Sequence, residues 1–164
     1  MTVSLFRTVT DSPVGALTVV AGDHGVRAVL WPDDDPQRVR LDETTEECTH
    51  PVVAAAVEQL GEYFAGTRVE FVLPLDPVGT AFQRAAWEAL RSIAYGTTAT
   101  YGEQAAWMGD RRKARAVGAA NGRNPISIIV PCHRVVGANS ALTGFAGGID
   151  TKAWLLAHEQ QPRS

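Results

Sequence analysis

Only two cysteines, Cys48 and Cys132, occur in the 164 residues, and they lie far apart in stretches of different composition. A disulfide framework is not expected from so sparse a set, and a reducing, cytoplasmic setting is. No apolar leader follows the N-terminus, and no segment is long and apolar enough to cross a membrane, so no membrane partner is expected. Disorder is not indicated either. With a hydrophobic content of 45%, the chain can bury a real core, as one compact unit or as two small domains sharing an interface.

The net charge of -3 conceals an asymmetry. Residues 1–77 carry 5 Lys/Arg against 13 Asp/Glu, or -8, whereas residues 78–164 carry 10 against 5, or +5. A polyanion is repelled by the first half and attracted by the second, so any nucleic-acid surface belongs to the second half. A solvated surface of uneven charge is the plainer alternative.

What is present is concentrated in Pro131-Cys132-His133-Arg134-Val135, where a thiol lies between a rigid residue and two possible cations. Neighbouring Arg or protonated His lowers a thiol pKa and populates the reactive thiolate. The short segment Ser127 to Val130 before it reads as a buried strand, which would set Cys132 where a core element gives way to a turn. On an extended chain His133 would point away from Cys132, so a bridging water is needed to pass a proton between them. Glu159 follows Leu155 by four residues and Leu156 by three, beside the apolar face of a final helix that Asp150 or Thr151 would cap. A carboxylate there needs a partner: His133, an Arg, or simply water. Asn124, before Pro125, is biased to extended backbone near the site, or to an ordinary turn. Residues 144–148, an aromatic among glycines, read either as a cover for a planar ligand or as a connector.

Periodicity places these residues in a mixed α/β (α+β) chain. Residues 3–31 read as hairpin-forming strands, residues 33–36 and 42–47 as exposed loop, and residues 51–64 as a helix with Val53, Val57, Leu60 and Phe64 on one stripe, ended by Gly66. A short strand and a Pro-containing connection over 69–77 mark the boundary between an N-terminal region, 1–77, and a mostly helical C-terminal region, 78–164. Thr80 can cap a helix over 81–93. Helices over 101–108 and 112–121, split by Gly109-Asp110, have helix-turn-helix spacing. On the second of them Ala116, Val117 and Ala120 are expected to pack inward, with Arg115, Gly118, Ala119 and Gly122 on a neighbouring, almost bare face. Major-groove readers need long hydrogen-bonding side chains there. Small residues favour close, sequence-indifferent approach to DNA, and Gly118, which costs roughly 1 kcal/mol in a helix, serves either that or tight helix packing.

With these motifs in hand, the chain closely resembles the O6-alkylguanine-DNA alkyltransferases, most strongly from Phe82 through Glu159. The resemblance implies a ribonuclease-H-like N-terminal sheet with its covering helix, and a C-terminal DNA-binding and alkyl-acceptor domain. It implies that Cys132 accepts the alkyl group, His133 is a water-linked base, Glu159 supports it and Asn124 organises the turn. It implies further that Arg115 enters the base stack, that Tyr101 assists rotation of the nucleotide, and that backbone near Cys132 and Val135 accepts from the guanine amino group. Ala116, Gly118, Ala119, Arg134, Phe145 and Ala146 complete the surface expected to face DNA or the base. Phe145 and Ala146 stand where the human member has Tyr and Ser, and that member's N-terminal zinc ligands find no match, so neither metal nor cofactor is expected. The expected partner is double-stranded DNA bearing O6-alkylguanine, met by a monomer that is consumed once per lesion. Related lesion binders carry Trp in place of the cysteine. A thiol hydrolase and a non-catalytic helix-turn-helix regulator are the rival classes.

Overall fold

The computed structural model describes residues 4–162; residues 1–3 and 163–164, the outer ends of the two expected regions, lie outside them. Three strands rich in β-branched residues, β1 (Leu5–Thr10), β2 (Leu17–Gly22) and β3 (Gly25–Leu30), pair antiparallel in sequence order. The acidic stretch expected to be loop contributes a short fourth strand, β4 (Thr44–Glu46), parallel to β1 at the sheet edge. Arg7 Nη1 pins it, donating to Thr44 O at 2.6 Å and Oγ1 at 2.7 Å, a side-chain anchor that alternation of apolar residues does not reveal.

Helix α1 (Pro51–Ala65) covers one face of this sheet. Its punctuation is local: His50 accepts from Val52 N, Pro51 needs no amide partner in the first turn, and Gly66 closes the end at φ 81°. The buried stripe is Val53, Ala56, Leu60 and Tyr63, with Val57 and Phe64 only half-buried on its flank. The face is thus rotated from the expected one toward Tyr63, whose hydroxyl has a partner inside. On the opposite sheet face, Leu5, Val20 and Ala28 are covered by Leu30, Val39 and Leu41, the last two from the loop after β3.

Residues 69–77 form no strand. The chain there is extended, but Leu75 makes only an isolated bridge to Val26, bounded by Pro74 and Pro77, which have no N–H to extend a ladder. That bridge fixes Gly25, whose φ is +143° and whose added Cβ would lie 2.6 Å from Pro74 O. Gly25→Ala should lower the stability by about 1–3 kcal/mol, read as a shift in urea midpoint at unchanged slope; an unshifted midpoint would mean that this junction is looser than drawn.

Helix α2 (Ala81–Leu90) opens with the reciprocal Thr80 and Gln83 capping box. It ends three residues before Ile93, and residues 91–93 tighten into i→i−3 bonds instead. β5 (Ala99–Thr100) leads into α3 (Tyr101–Trp107), again through a capping box, here Thr100 with Glu103. A 3₁₀ turn at Arg111–Lys113 then enters α4 (Ala114–Gly122), and β6 (Val135–Val136) pairs with β5. The last helix, α5 (Ile149–Gln160), starts from Gly148 at φ 94° with no side-chain cap, so neither Asp150 nor Thr151 caps it. One apolar cluster joins the two regions, running from Leu17, Val29 and Leu60 through Ile126 and Val135 to Leu155. The candidate site grows out of this shared core. No helix among the described residues is long and apolar enough to span a membrane.

Candidate active site

The segment before Cys132 is buried, as its apolar character requires, but it is a compact turn and not a strand. Val130 N donates to Ile126 O and Ile129 N to Ser127 O, both at 2.9 Å, and Ile128 takes φ +73°. A β-branched residue in that region is strained by about 1–3 kcal/mol, so its surroundings must hold it there. Asn124 does much of the holding: its Nδ2 donates to Val130 O at 2.9 Å and its Oδ1 accepts from Ile126 N at 3.0 Å. Cys132 opens the 3₁₀ turn Cys132–Arg134 that follows, its own N–H donating to Val130 O.

Cys132 is 9% exposed, at the edge of a cavity of about 30 Å³ also lined by Tyr101, Gly118, Ser127, Phe145 and Ala146. Burial pushes its thiol pKa up, against the hydrogen bond from Asn124 and the positive charge of Arg38 and Lys152. At rest it is therefore a thiol that needs a base. His133, fully buried, is next in the turn, and its Nε2 lies 2.6 Å from Glu159 Oε2. Burial lowers the His133 pKa despite the opposing hydrogen bond and charge of Glu159, so the resting imidazole is neutral. Glu159 behaves oppositely: although burial alone would raise its pKa, its hydrogen bonds from His133 and Arg134 and the charge of Arg134 hold it well below the usual carboxylate range. With His133 neutral, the Arg134 guanidinium is the charge that keeps Glu159 ionised. An ionised carboxylate only accepts, so Nε2 carries the hydrogen, and Nδ1 keeps its lone pair. That Nδ1 is buried without a hydrogen-bond partner. The arrangement can draw a proton from the cysteine through one water.

Arg134 departs from expectation. Rather than facing DNA it turns inward, 6% exposed, donating Nε to Glu159 Oε1 at 2.8 Å, Nη2 to Oε2 at 3.1 Å and Nη1 to Ile93 O at 2.7 Å. A buried carboxylate requires such a counter-ion, which is the physical reason. Both partners left open for Glu159, the histidine and an arginine, are thus engaged together. Three further groups escaped the sequence reading. Tyr63 donates its hydroxyl to Glu159 Oε2 at 2.7 Å; its place on the α1 stripe was the available signal, since a buried Tyr needs a partner for its O–H. Lys152 is buried and donates to Val135 O at 2.6 Å, so that carbonyl has one lone pair left for any other donor. Arg38 ties Asp34 to the Asn124 carbonyl.

On α4, Arg115 and Ala119 are exposed and Gly118 half-buried. Ala116, placed inside by periodicity and at the DNA surface by the resemblance, is exposed too; Asn121 takes the interior, exchanging two hydrogen bonds with Gln104 of α3. An added Cβ on Gly118 would meet the Tyr101 ring at 3.6 Å, ordinary contact, so crowding between helices does not explain this glycine. The Tyr101 hydroxyl is shared with Thr143 Oγ1 at 2.6 Å. Phe145 packs edge-on against Trp31, with centroids 5.4 Å apart, beside the cysteine cavity. Among the described residues, no group of three or more His, Cys, Asp or Glu could hold a metal ion.

Comparison with known proteins places the chain as a whole. Residues 5–77 match the family model described as 6-O-methylguanine DNA methyltransferase, ribonuclease-like domain, and residues 81–161 match the DNA binding domain of the same description. A methylated-DNA–protein-cysteine methyltransferase of Mycolicibacterium paratuberculosis is 48% identical over 158 residues, which cover 95% of this chain and 92% of the relative. The constitutive one of Bacillus subtilis is 42% identical over 159 residues, 94% and 95% of the two chains. The crystal structure of Mycobacterium tuberculosis OGT in complex with DNA superposes with a TM-score of 0.85 at 44% identity, covering 94% of this chain and 92% of that one.

Proposed function

The chain belongs to the 6-O-methylguanine DNA methyltransferase family, and we propose that Cys132 takes the alkyl group of O6-alkylguanine from duplex DNA, one lesion per molecule. The protein is a DNA-repair transferase that moves an alkyl group from DNA to cysteine. In the proposed step the Cys132 proton passes through water to His133 Nδ1, and the thiolate attacks the alkyl carbon. The S–C bond forms as the C–O6 bond breaks, its electron pair going to the guanine, which takes up one proton. The product thioether has no carbonyl for water to attack, so the cysteine is not regenerated. The observation that carries this reading is the buried, unpartnered lone pair of His133 Nδ1, held by an ionised Glu159 one residue from a thiol that burial keeps protonated.

A cavity of about 30 Å³ is far too small for a purine, so residues 144–148 must shift to admit an everted base. The small, exposed α4 face would meet DNA through its backbone shape, with Arg115 filling the stack and Tyr101 guiding the nucleotide. We further propose that the protein acts as a monomer in the cytoplasm, where a free reactive thiol is kept reduced. Incubation with a duplex bearing one O6-methylguanine should add one methyl group per protein, located by peptide mass to the segment containing Cys132. Demethylation of excess DNA by protein of unchanged mass would overturn the assignment.

A further inference from the structure

Three of the five cations in the acidic N-terminal region, Arg27, Arg38 and Arg40, converge with Arg123 on a single cleft of about 490 Å³. No carboxylate among the described residues lines it. Two acids stand just behind: Asp34, bound by Arg38, and Asp76, bound by Arg27 at 2.9 Å. Counting both, four guanidiniums face two carboxylates and the cleft keeps a charge of +2. Arg38 is committed to Asp34 and to the Asn124 carbonyl. The other three are less so: Arg27 gives Asp76 a single bond, and among the described residues neither Arg40 nor Arg123 pairs with an acid. Arg27 Nε is buried without a hydrogen-bond partner. Arg40 and Arg123, both exposed, each donate one bond, to Gln37 Oε1 and Gln37 O, at 3.0 Å. A guanidinium carries five donors in a planar fork, so most of this capacity is unspent.

We infer that this cleft is a phosphate subsite, in which Arg27, Arg40 and Arg123 grip one phosphate while Val39, Leu41 and Trp87 wall the sugar that carries it. The fork geometry of arginine matches phosphate oxygens two at a time, and the cluster lies in a region whose overall charge would otherwise repel an anion. Its position gives the anion a source. Arg123 directly follows α4, the helix with the bare exposed face, and Arg38 lines both this cleft and the cavity at Cys132. A strand laid along α4 with one nucleotide turned toward Cys132 would pass Arg123 at the helix end, and on this inference its neighbouring phosphate enters the cleft. This deepens the function proposed above and rests on it.

The test is binding of a lesion-free duplex over a range of NaCl by wild-type protein, Arg40→Gln/Arg123→Gln, and Arg68→Gln as an N-terminal charge control outside the cleft. Loss of one phosphate contact should reduce the slope of log K against log salt by about 1 in the double variant and leave Arg68→Gln at the wild-type slope. In a second arm, inorganic phosphate and deoxyguanosine monophosphate are titrated into DNA-free protein while arginine Nε–H resonances are followed. A slope change without saturable shifts assigns the phosphate to a DNA strand. Saturable shifts in wild type that vanish in the double variant assign it to a free nucleotide or phosphate. Neither effect, or an equal slope change in Arg68→Gln, overturns the subsite. Methyl uptake by wild-type protein from lesion DNA is measured alongside, and its absence would sink the parent function whatever the slopes show.

Discussion

Cys132→Ala should take up no methyl from O6-methylguanine DNA while still binding the lesion duplex as tightly as the wild type. The first half follows from the chemistry: the transfer forms one S–C bond, and among the described residues no other sulfur lines the cavity. Cys48 is free but exposed on the acidic region. Serine should not rescue the activity, because a hydroxyl beside a neutral His133 yields almost no alkoxide, and oxygen is a poorer nucleophile toward saturated carbon than a thiolate. The second half follows from packing. Cys132 presents 9% of its surface, and its backbone N–H, which alanine keeps, bonds Val130 O. The lost sulfur costs on the order of 1 kcal/mol of stability and leaves the α4 face untouched. Mass spectrometry and a filter or anisotropy binding assay separate the two. If lesion binding fell as far as transfer, the cysteine would be a structural element of the pocket and the acceptor assignment would fail.

The parts of this structure that were legible in sequence are those with local causes. The β1–β2–β3 meander is announced by its turns, α1 by Pro51 and Gly66, and α2 by Thr80. The nearness of Asn124, Cys132 and His133 is likewise carried by one short stretch of chain. What was not legible depends on tertiary partners. Ser127 to Val130 have the composition of a strand, yet Asn124 bonds at both ends curl them into a turn, with Ile128 forced to positive φ. Arg134 reads as one more cation in a basic half until Glu159 is seen buried against it. Tyr63 and Glu159 are 96 residues apart, and neither helix alone discloses that their side chains meet. The same holds for Arg38, which crosses from the loop after β3 to the Asn124 carbonyl. Long-range polar contacts of this kind leave no periodicity, because each involves one residue at one position.

Glu159→Gln tests that long-range network, and its expected effects are large on both stability and rate. The carboxylate accepts from His133, Arg134, Tyr63 and the Gly96 amide, with its side chain 1% exposed. Glutamine keeps one acceptor oxygen and turns an NH₂ toward groups that are themselves donors, while Arg134 is left as a buried cation without its anion. Breaking one side of such a pair costs about 3–5 kcal/mol, which a urea titration at neutral pH should resolve. His133 also loses the anion that supports its imidazolium, so methyl transfer should slow by about 10²–10⁴-fold, the range a positioned general base supplies. The pH dependence has a definite sign. The folded Glu159 pKa lies below its unfolded value of about 4.3, so the unfolded chain binds more protons there, and stability rises with pH through that window. Its contribution is complete above about pH 4.3, and it is lost as the pH falls toward the folded pKa. The wild type should therefore lose more stability on acidification than Glu159→Gln does. Should the variant prove too unstable to assay, Tyr63→Phe removes a single donor from Oε2 at a cost of about 0.5–1.5 kcal/mol. With one fewer competitor for that oxygen, His133 becomes more basic and its pKa should rise, a change that imidazole NMR titration reads directly. A Glu159→Gln protein with wild-type stability and rate, or a Tyr63→Phe protein with an unmoved imidazole, would show that this carboxylate neither braces the fold nor steers the proton.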